Sequence, residues 1–304
     1  MRLSTAQLNS VMLTSMQTST TGVNKSFMQM SSGERMLKPS DDPLGSVQLM
    51  MLDREQANIS QFQKNISNLE AQLGQTESHL DASNNAVLRA QELVTSVLNA
   101  SNSTEEGREA IATELDSILD QLVDVANSKN PNGDYIFAGT QTDTQPVVKD
   151  PATGKYTYMG NSDQRMVQVA ESMTIPSNQT ADAIFFSGGS DIFNTLDQLV
   201  TDLRDPSIEQ GGLTASVTSA RSNLDTTMST INQVWTDVGG QRNALARIEG
   251  SHADNKLLNN KLIGEVKDLD YSEAILEMNT QMAALQATQM TYSKIQNLSL
   301  FKLM

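Results

Sequence analysis

The sequence predicts a mainly α-helical protein: a long antiparallel, coiled-coil-like helical rod built from the N- and C-terminal halves, with a small inserted β subdomain. Two heptad series of apolar residues and the placement of the prolines carry this prediction. All seven prolines fall within residues 39–43 or 131–206. Because proline breaks a helix interior, the stretches 44–130 and 207–304 are free to form long helices.

The first heptad series extends from about residue 45 to about residue 100. Its a positions repeat every seven residues, and apolar residues three places later fill most d positions. The members are Leu52, Ile59, Ile66, Leu73, Leu80, Val87 and Val94 at a, and Phe62, Leu69, Ala90 and Val97 at d. Thr76 and Ser83 are polar exceptions at d. A stripe of this length predicts a helix of roughly 80 Å packed against other helices.

A second series of matching length lies in the C-terminal half. Its members are Val217, Leu224, Ile231, Val238 and Leu245 at a, and Ala220, Val234, Ile248 and Leu262 at d. Gly239 and Gly240 interrupt it, since glycine disfavours helix. A shorter stripe follows a possible capping box of Ser103 and Glu106; it consists of Ile111, Leu115, Ile118, Leu122 and Val125. Together these segments predict a helical bundle.

The middle of the chain changes character. Four short β-like runs, at 147–149, 155–159, 165–169 and 173–175, are separated by turn sequences rich in Gly, Asn and Asp. A helix is expected at about 191–204, before Asp205-Pro206. The expected division is therefore terminal assembly helices at 1–43 and 270–304, a helical rod at 44–134 and 188–269, and a small β domain at 135–187.

The two ends are nearly uncharged, yet each has an apolar stripe at helical spacing. Of residues 1–32, 17 are Ser, Thr, Asn or Gln. Such helices are marginal in isolation, so we expect them to fold and bury their stripes between subunits on assembly. The candidate subunit-assembly residues are Leu3, Met12, Met16, Val23, Phe27, Met30, Ile275, Met278, Met282, Leu285, Tyr292, Ile295, Leu300 and Phe301.

Composition and motifs exclude several classes of function. A net charge of −15 opposes general nucleic-acid binding, which needs clustered Lys and Arg. The sequence has no apolar run long enough to insert into a membrane and no apolar signal-peptide core near residue 1. With no Cys, disulfides and thiolate chemistry are excluded. Asp41-Asp42 before Pro43 predicts a helix cap, and His79 and His252 are interpreted as structural, so no catalytic, cofactor or metal site is expected.

Three segments resemble a known family. The run from Met30 to Arg35, followed by Pro39-Ser40-Asp41-Asp42-Pro43, is similar to the N-terminal signature of flagellins and flagellar hook–filament junction proteins. A segment of the form N-G-x-Y-x-F-A-G, and the chain end from Ala284 to Phe301, are similar to the junction proteins called hook-associated protein 3. The motif residues are Ser31, Ser32, Gly33, Asp41, Asp42, Pro43, Asn132, Gly133, Tyr135, Phe137, Ala138 and Gly139.

The resemblance implies a structural subunit without enzymatic activity or cofactor. It would be extracellular, exported through the flagellar type III channel without a cleaved signal. Its implied partners are hook-associated protein 1 on the hook side, flagellin on the filament side, identical subunits in a ring, and an export chaperone at the C-terminal helix. The Ser31–Gly33 turn and the Asp41–Pro43 cap would then link the inner and outer shells of the assembly. Tyr135 and Phe137 would lie where the rod meets the inserted domain, unless they serve only core packing.

Two other structural proteins remain as alternatives. One is a flagellin filament subunit, against which the N-G-x-Y-x-F-A-G segment argues. The other is a secreted coiled-coil adhesin or translocator, which would bind surfaces without paired terminal assembly helices. An enzyme would require a pocket with convergent polar groups, which the sequence does not indicate.

Overall fold

The computed structural model describes residues 5–98, 104–187 and 191–300. Within these ranges it contains seven helices and four strands. The helices are α1 (Thr5–Ser32), α2 (Pro43–Val97), α3 (Glu105–Ala126), α4 (Ala181–Phe185), α5 (Ile192–Arg204), α6 (Gln210–Lys267) and α7 (Tyr271–Leu300). The strands are β1 (Val147–Lys149), β2 (Tyr156–Tyr158), β3 (Met166–Ala170) and β4 (Met173–Pro176). The predicted mainly α fold with a small β insertion is confirmed.

The chain forms two compact units. Unit 1 comprises Met1–Ile59 and Ala253–Met304, and unit 2 comprises Ser60–His252. In unit 1, α1 packs against α7. In unit 2, α3 packs against α5, and both join α2 and α6 around one apolar core.

Both heptad predictions are confirmed. Every a residue of the first series is at most 9% exposed, as is every a residue of the second. The polar exceptions Thr76 and Ser83 are buried too, because their hydroxyls donate to the carbonyls of Gln72 and His79 one turn earlier. Helix α6 continues through Gly239-Gly240 without a break.

The starts of two helices, α3 and α4, differ from what the sequence predicts. Helix α3 begins at Glu105, and its N-cap is Thr104, whose hydroxyl accepts from Gly107 N. The proposed cap Ser103 lies outside the described residues. The short helix α4, capped by Thr180, was not predicted, since five residues are too few to show a period.

All four predicted β runs form strands, arranged as two antiparallel hairpins. Strand β1 pairs with β2, and β3 pairs with β4. The register of the second hairpin shifts between Gln168 and Ala170, so Val169 lies in an irregularity. The carbonyl of Val169 contacts His252 Nε2 at 2.8 Å, and Asn65 Nδ2 donates to the neighbouring carbonyl of Gln168 at 2.8 Å. Side chains of α2 and α6 thereby hold β3 in place.

Candidate assembly site

The buried residues of the seam where α1 packs against α7 are small or polar. On α1 the buried members are Ser19, Ser26 and Gln29. Gly22 permits a close approach, because a Cβ at that position would lie 2.9 Å from Cδ of Gln281 on α7. Ala274 is the buried apolar contribution of α7. Gly22 therefore lets the two helices approach closely at this point.

The predicted assembly residues are distributed around this seam. Phe27, Ile275 and Met282 are exposed, at 65%, 43% and 36%. Met12, Met16, Val23, Met30, Met278, Leu285, Tyr292 and Ile295 are half-buried. Leu3, Phe301 and the side chain of Leu300 lie outside the described part of the structure. The two predicted stripes therefore only partly cover each other.

Further bulky apolar side chains, outside the list of candidate assembly residues, are exposed on unit 1. On the terminal helices these are Val11, Leu13, Met28, Tyr271, Leu276 and Met290. On the first three turns of α2 they are Leu44, Val47, Met50 and Met51, which are 50–85% exposed. A sequence signal existed for the α2 group, because residues 43–52 carry no charge. An exposed apolar patch of this kind is typical of an interaction surface.

The first family motif forms the connection after α1. Gly33 has φ +73°, a left-handed conformation that suits glycine at the end of a helix. Ser32 Oγ donates to the carbonyl of Gln29 and accepts from Glu34 N. Tyr271 Oη lies 3.3 Å from the carbonyl of Met30. The predicted turn is therefore present, and it lies against the start of α7.

Arg35 ties this connection to the end of α6. Its main-chain N–H donates to the carbonyl of Lys267 at 2.8 Å, and its guanidinium donates to the carbonyl of Val266 from Nε (3.2 Å) and Nη2 (3.0 Å). The carbonyl of Gly33 accepts from Leu269 N at 3.0 Å. The two connections of unit 1 are thus hydrogen-bonded to each other, a link that the sequence did not reveal because its acceptors are main-chain carbonyls distant in sequence.

Asp42 caps α2, as the sequence predicts. Its Oδ1 accepts from Gly45 N at 3.0 Å, and its Oδ2 accepts from Arg35 Nη2 at 3.1 Å. The Gly45 bond, assisted by the Arg35 guanidinium, holds the pKa of this carboxyl below its ordinary value. Asp41 instead accepts from the N–H groups of Leu37 and Lys38. The two carboxylates therefore have separate structural partners.

The second family motif lies in unit 2. Gly133 has φ +92°, and Asn130 Oδ1 accepts from the main-chain N–H groups of Asn132 and Asp134, which closes the loop. Lys129 Nζ lies 4.4 Å from the ring centroid of Tyr135, which is half-buried.

The end of this motif is part of the core. Phe137 and Ala138 are buried, and the Phe137 ring meets His79 edge-on at 6.0 Å between centroids. Gly139 has φ +73°, and a Cβ there would collide with oxygens of Asn161. Phe137 is therefore a core residue that contacts His79 on α2, and its carbonyl accepts from Tyr158 Oη of the inserted segment at 3.2 Å.

Both histidines are in contact with aromatic rings. Burial lowers the pKa of His79. His252 stacks on Phe62 at 5.6 Å in addition to its contact with β3. Among the described residues, no group of three or more His, Asp or Glu side chains is arranged to hold a metal ion. The described helices also include none with the length and apolar character required to cross a bilayer.

Comparisons with known proteins agree with these features. The profile of the bacterial flagellin N-terminal helical region matches residues 3–142. Flagellar hook-associated protein 3 of Salmonella typhimurium is 30% identical, with 100% of this chain and 99% of the relative covered. The Escherichia coli protein of the same name is 29% identical, with 90% of each chain covered. A solved structure assigned as a flagellar hook-associated protein, from Vibrio parahaemolyticus, shares 35% identity with a TM-score of 0.69, covering 75% of this chain and 100% of that one. The chain therefore belongs to the flagellar hook-associated protein 3 family.

Proposed function

We propose that this chain is a structural subunit of the bacterial flagellum that forms the junction between hook and filament. The observation that carries the proposal is full-length similarity to flagellar hook-associated protein 3 of Salmonella typhimurium. The exposed apolar side chains of unit 1 support it, because they offer subunit contacts. The protein acts by packing and has no enzymatic activity.

The same proposal includes the route and the partners. The chain leaves the cell through the flagellar type III channel, escorted by a chaperone at its C-terminal helix. It then contacts hook-associated protein 1 on one side, flagellin on the other, and identical subunits around a ring. The absence of Cys from the sequence suits a chain exported in an unfolded state.

Three parts of the chain have separate roles in this proposal. Residues 1–43 and 270–304 form the inner-tube contacts, residues 44–134 and 188–269 provide a long helical body, and residues 135–187 form a small outer domain. The hydrogen bonds of Arg35 support a fixed connection between the first two parts. Burial of apolar area between subunits contributes about 25 cal/mol per Å².

A charge placed on the exposed apolar face tests the assembly proposal. Leu13 and Phe27 lie two heptads apart on one side of α1 and are 48% and 65% exposed, so a Leu13→Asp/Phe27→Asp double variant leaves the packing of the subunit intact. A deletion strain carrying this variant should secrete the protein but bear hooks without filaments in electron micrographs. The control Asn24→Asp, also exposed on α1, should restore filaments. Normal filaments with the double variant would refute assembly through this face.

A flagellin filament subunit is the second candidate, favoured by the match to the flagellin N-terminal region. The two candidates differ in what a deletion strain releases. A junction subunit is needed to retain flagellin, so its loss leaves flagellin free in the medium. Loss of the filament subunit instead leaves no flagellin to detect there.

A further inference from the structure

Polar contacts fix the register of α2 against α6. Gln91 Nε2 donates to Asp225 Oδ1 at 2.9 Å. Further along the antiparallel pair, Trp235 Nε1 donates to Glu77 Oε1 at 3.3 Å, and Arg242 forms an ion pair with the same carboxylate. Glu77 therefore lies level with the middle of the α6 segment between Trp235 and Arg242.

Three glycines occupy this one level of the helix pair. Gly239 and Gly240 lie in that middle segment of α6, and Gly74 lies one turn before Glu77 on α2. No contact requires them, because a Cβ added at any of the three would meet no atom within 4 Å. Each glycine disfavours the helical state relative to Ala by a factor of about five. Both helices therefore have a low intrinsic helix preference at the same level.

Two polar groups also lie buried at this level. Thr76 is fully buried, and its hydroxyl donates to the carbonyl of Gln72 at 3.1 Å, a bond type that bends helices. Gln241 Oε1 is buried without a hydrogen-bond partner. The buried aliphatic residues of this level are Leu73 and Val238, and those of the levels on either side include Leu80 and Leu245.

We propose that this level, comprising Gly74, Thr76, Gly239, Gly240 and Gln241, is a built-in bending point of the α2–α6 pair. The low helix preference on both helices and the buried polar groups let the pair bend here while its aliphatic core residues stay packed. One consequence rests on the proposed junction function: a subunit that bends here can contact two partners of different helical geometry without breaking its own core.

Hydrogen exchange of the full chain tests the bending point directly. Amides of residues 74–78 and 238–243 should exchange faster than those around Ile66 and Ile231 on the same helices. Replacing all three glycines by Ala should slow exchange at this level by up to about a hundred-fold, since three factors of about five multiply.

Gly250→Ala is the matched control, because Gly250 also lies exposed on α6 with open space around its Cα. It should slow exchange only near itself. Exchange at the glycine level as slow as at the flanking levels would overturn the proposal. An equal effect of Gly250→Ala on that level would do the same. Far-UV circular dichroism verifies that each variant remains folded.

Complementation of a deletion strain tests the bending point and the junction role independently. In a deletion strain, the triple Ala variant should be secreted but should support fewer attached filaments than Gly250→Ala. Full support of filaments by a variant with slowed exchange would overturn the functional consequence, although the bending point itself would stand. Failure of the unaltered chain to restore filaments would instead contradict the junction proposal.

Discussion

Two glycines of the N-G-x-Y-x-F-A-G segment allow backbone strain and close packing to be measured separately. Gly133 and Gly139 both have positive φ, at +92° and +73°. A Cβ at Gly133 would meet nothing within 4 Å, whereas a Cβ at Gly139 would collide with the side-chain and main-chain oxygens of Asn161. Gly133→Ala should therefore lower the free energy of unfolding only by the cost of a left-handed backbone at Ala, about 1–2 kcal/mol. Gly139→Ala should lower the free energy of unfolding by a further amount of about 1–3 kcal/mol, because its Cβ overpacks against Asn161.

Urea unfolding of the full chain provides the assay. Trp235, the one Trp in the sequence, lies in unit 2 with both glycines, so its fluorescence follows the unfolding of that unit. Gly139→Ala should lower the midpoint more than Gly133→Ala at unchanged slope. Equal midpoints for the two variants would show that Asn161 moves away without cost, and would refute the close-packing argument for this glycine.

Individual contacts of Tyr158, His252 and Arg35 lead to three further predictions. Burial, and then the charge of Asp182, raise the pKa of Tyr158 to about 12. The folded state favours the neutral phenol, so the stability it contributes is complete below about pH 10 and is lost as pH rises through 12. A titration at 295 nm should show a Tyr that ionises near pH 12, and Tyr158→Phe should remove that step. His252→Ala should destabilise unit 2 by about 2 kcal/mol in the same urea assay, because it leaves the buried carbonyl of Val169 without its contact. Arg35→Ala should lower the free energy of unfolding by about 1 kcal/mol, because Arg35 is half-exposed. It should also speed amide exchange in residues 33–42, measured by mass spectrometry.

The long helices could be predicted because their signal is periodic and repeated. Apolar residues spaced seven apart, such as Ile66 and the other a residues, fall on one face of a helix. A coiled coil buries that face, so their burial follows from the spacing alone. The β runs were recognisable from turn residues between them. The irregularity at Val169 could not be predicted, because the residues next to Val169 do not indicate that the distant His252 contacts its carbonyl.

The assembly surface was only partly predictable, for a physical reason. An apolar stripe at helical spacing indicates which side chains share a face, but not whether another helix of the same chain covers that face. Ser26 is polar yet completely buried, and Gly22 lies close to Gln281 on α7, whereas the apolar Phe27 is exposed. The exposed group at Leu44 and Met50 was overlooked because it falls outside the heptad stripe of α2.

Deletion of the chain in its source bacterium tests the central claim most directly. Hooks and filaments would be scored by electron microscopy, and flagellin in the medium by immunoblot, with the unaltered chain restored as the control. A junction subunit predicts hooks without filaments, free flagellin outside the cell, and full recovery on restoration. Intact filaments on hooks in the deletion strain would contradict the account.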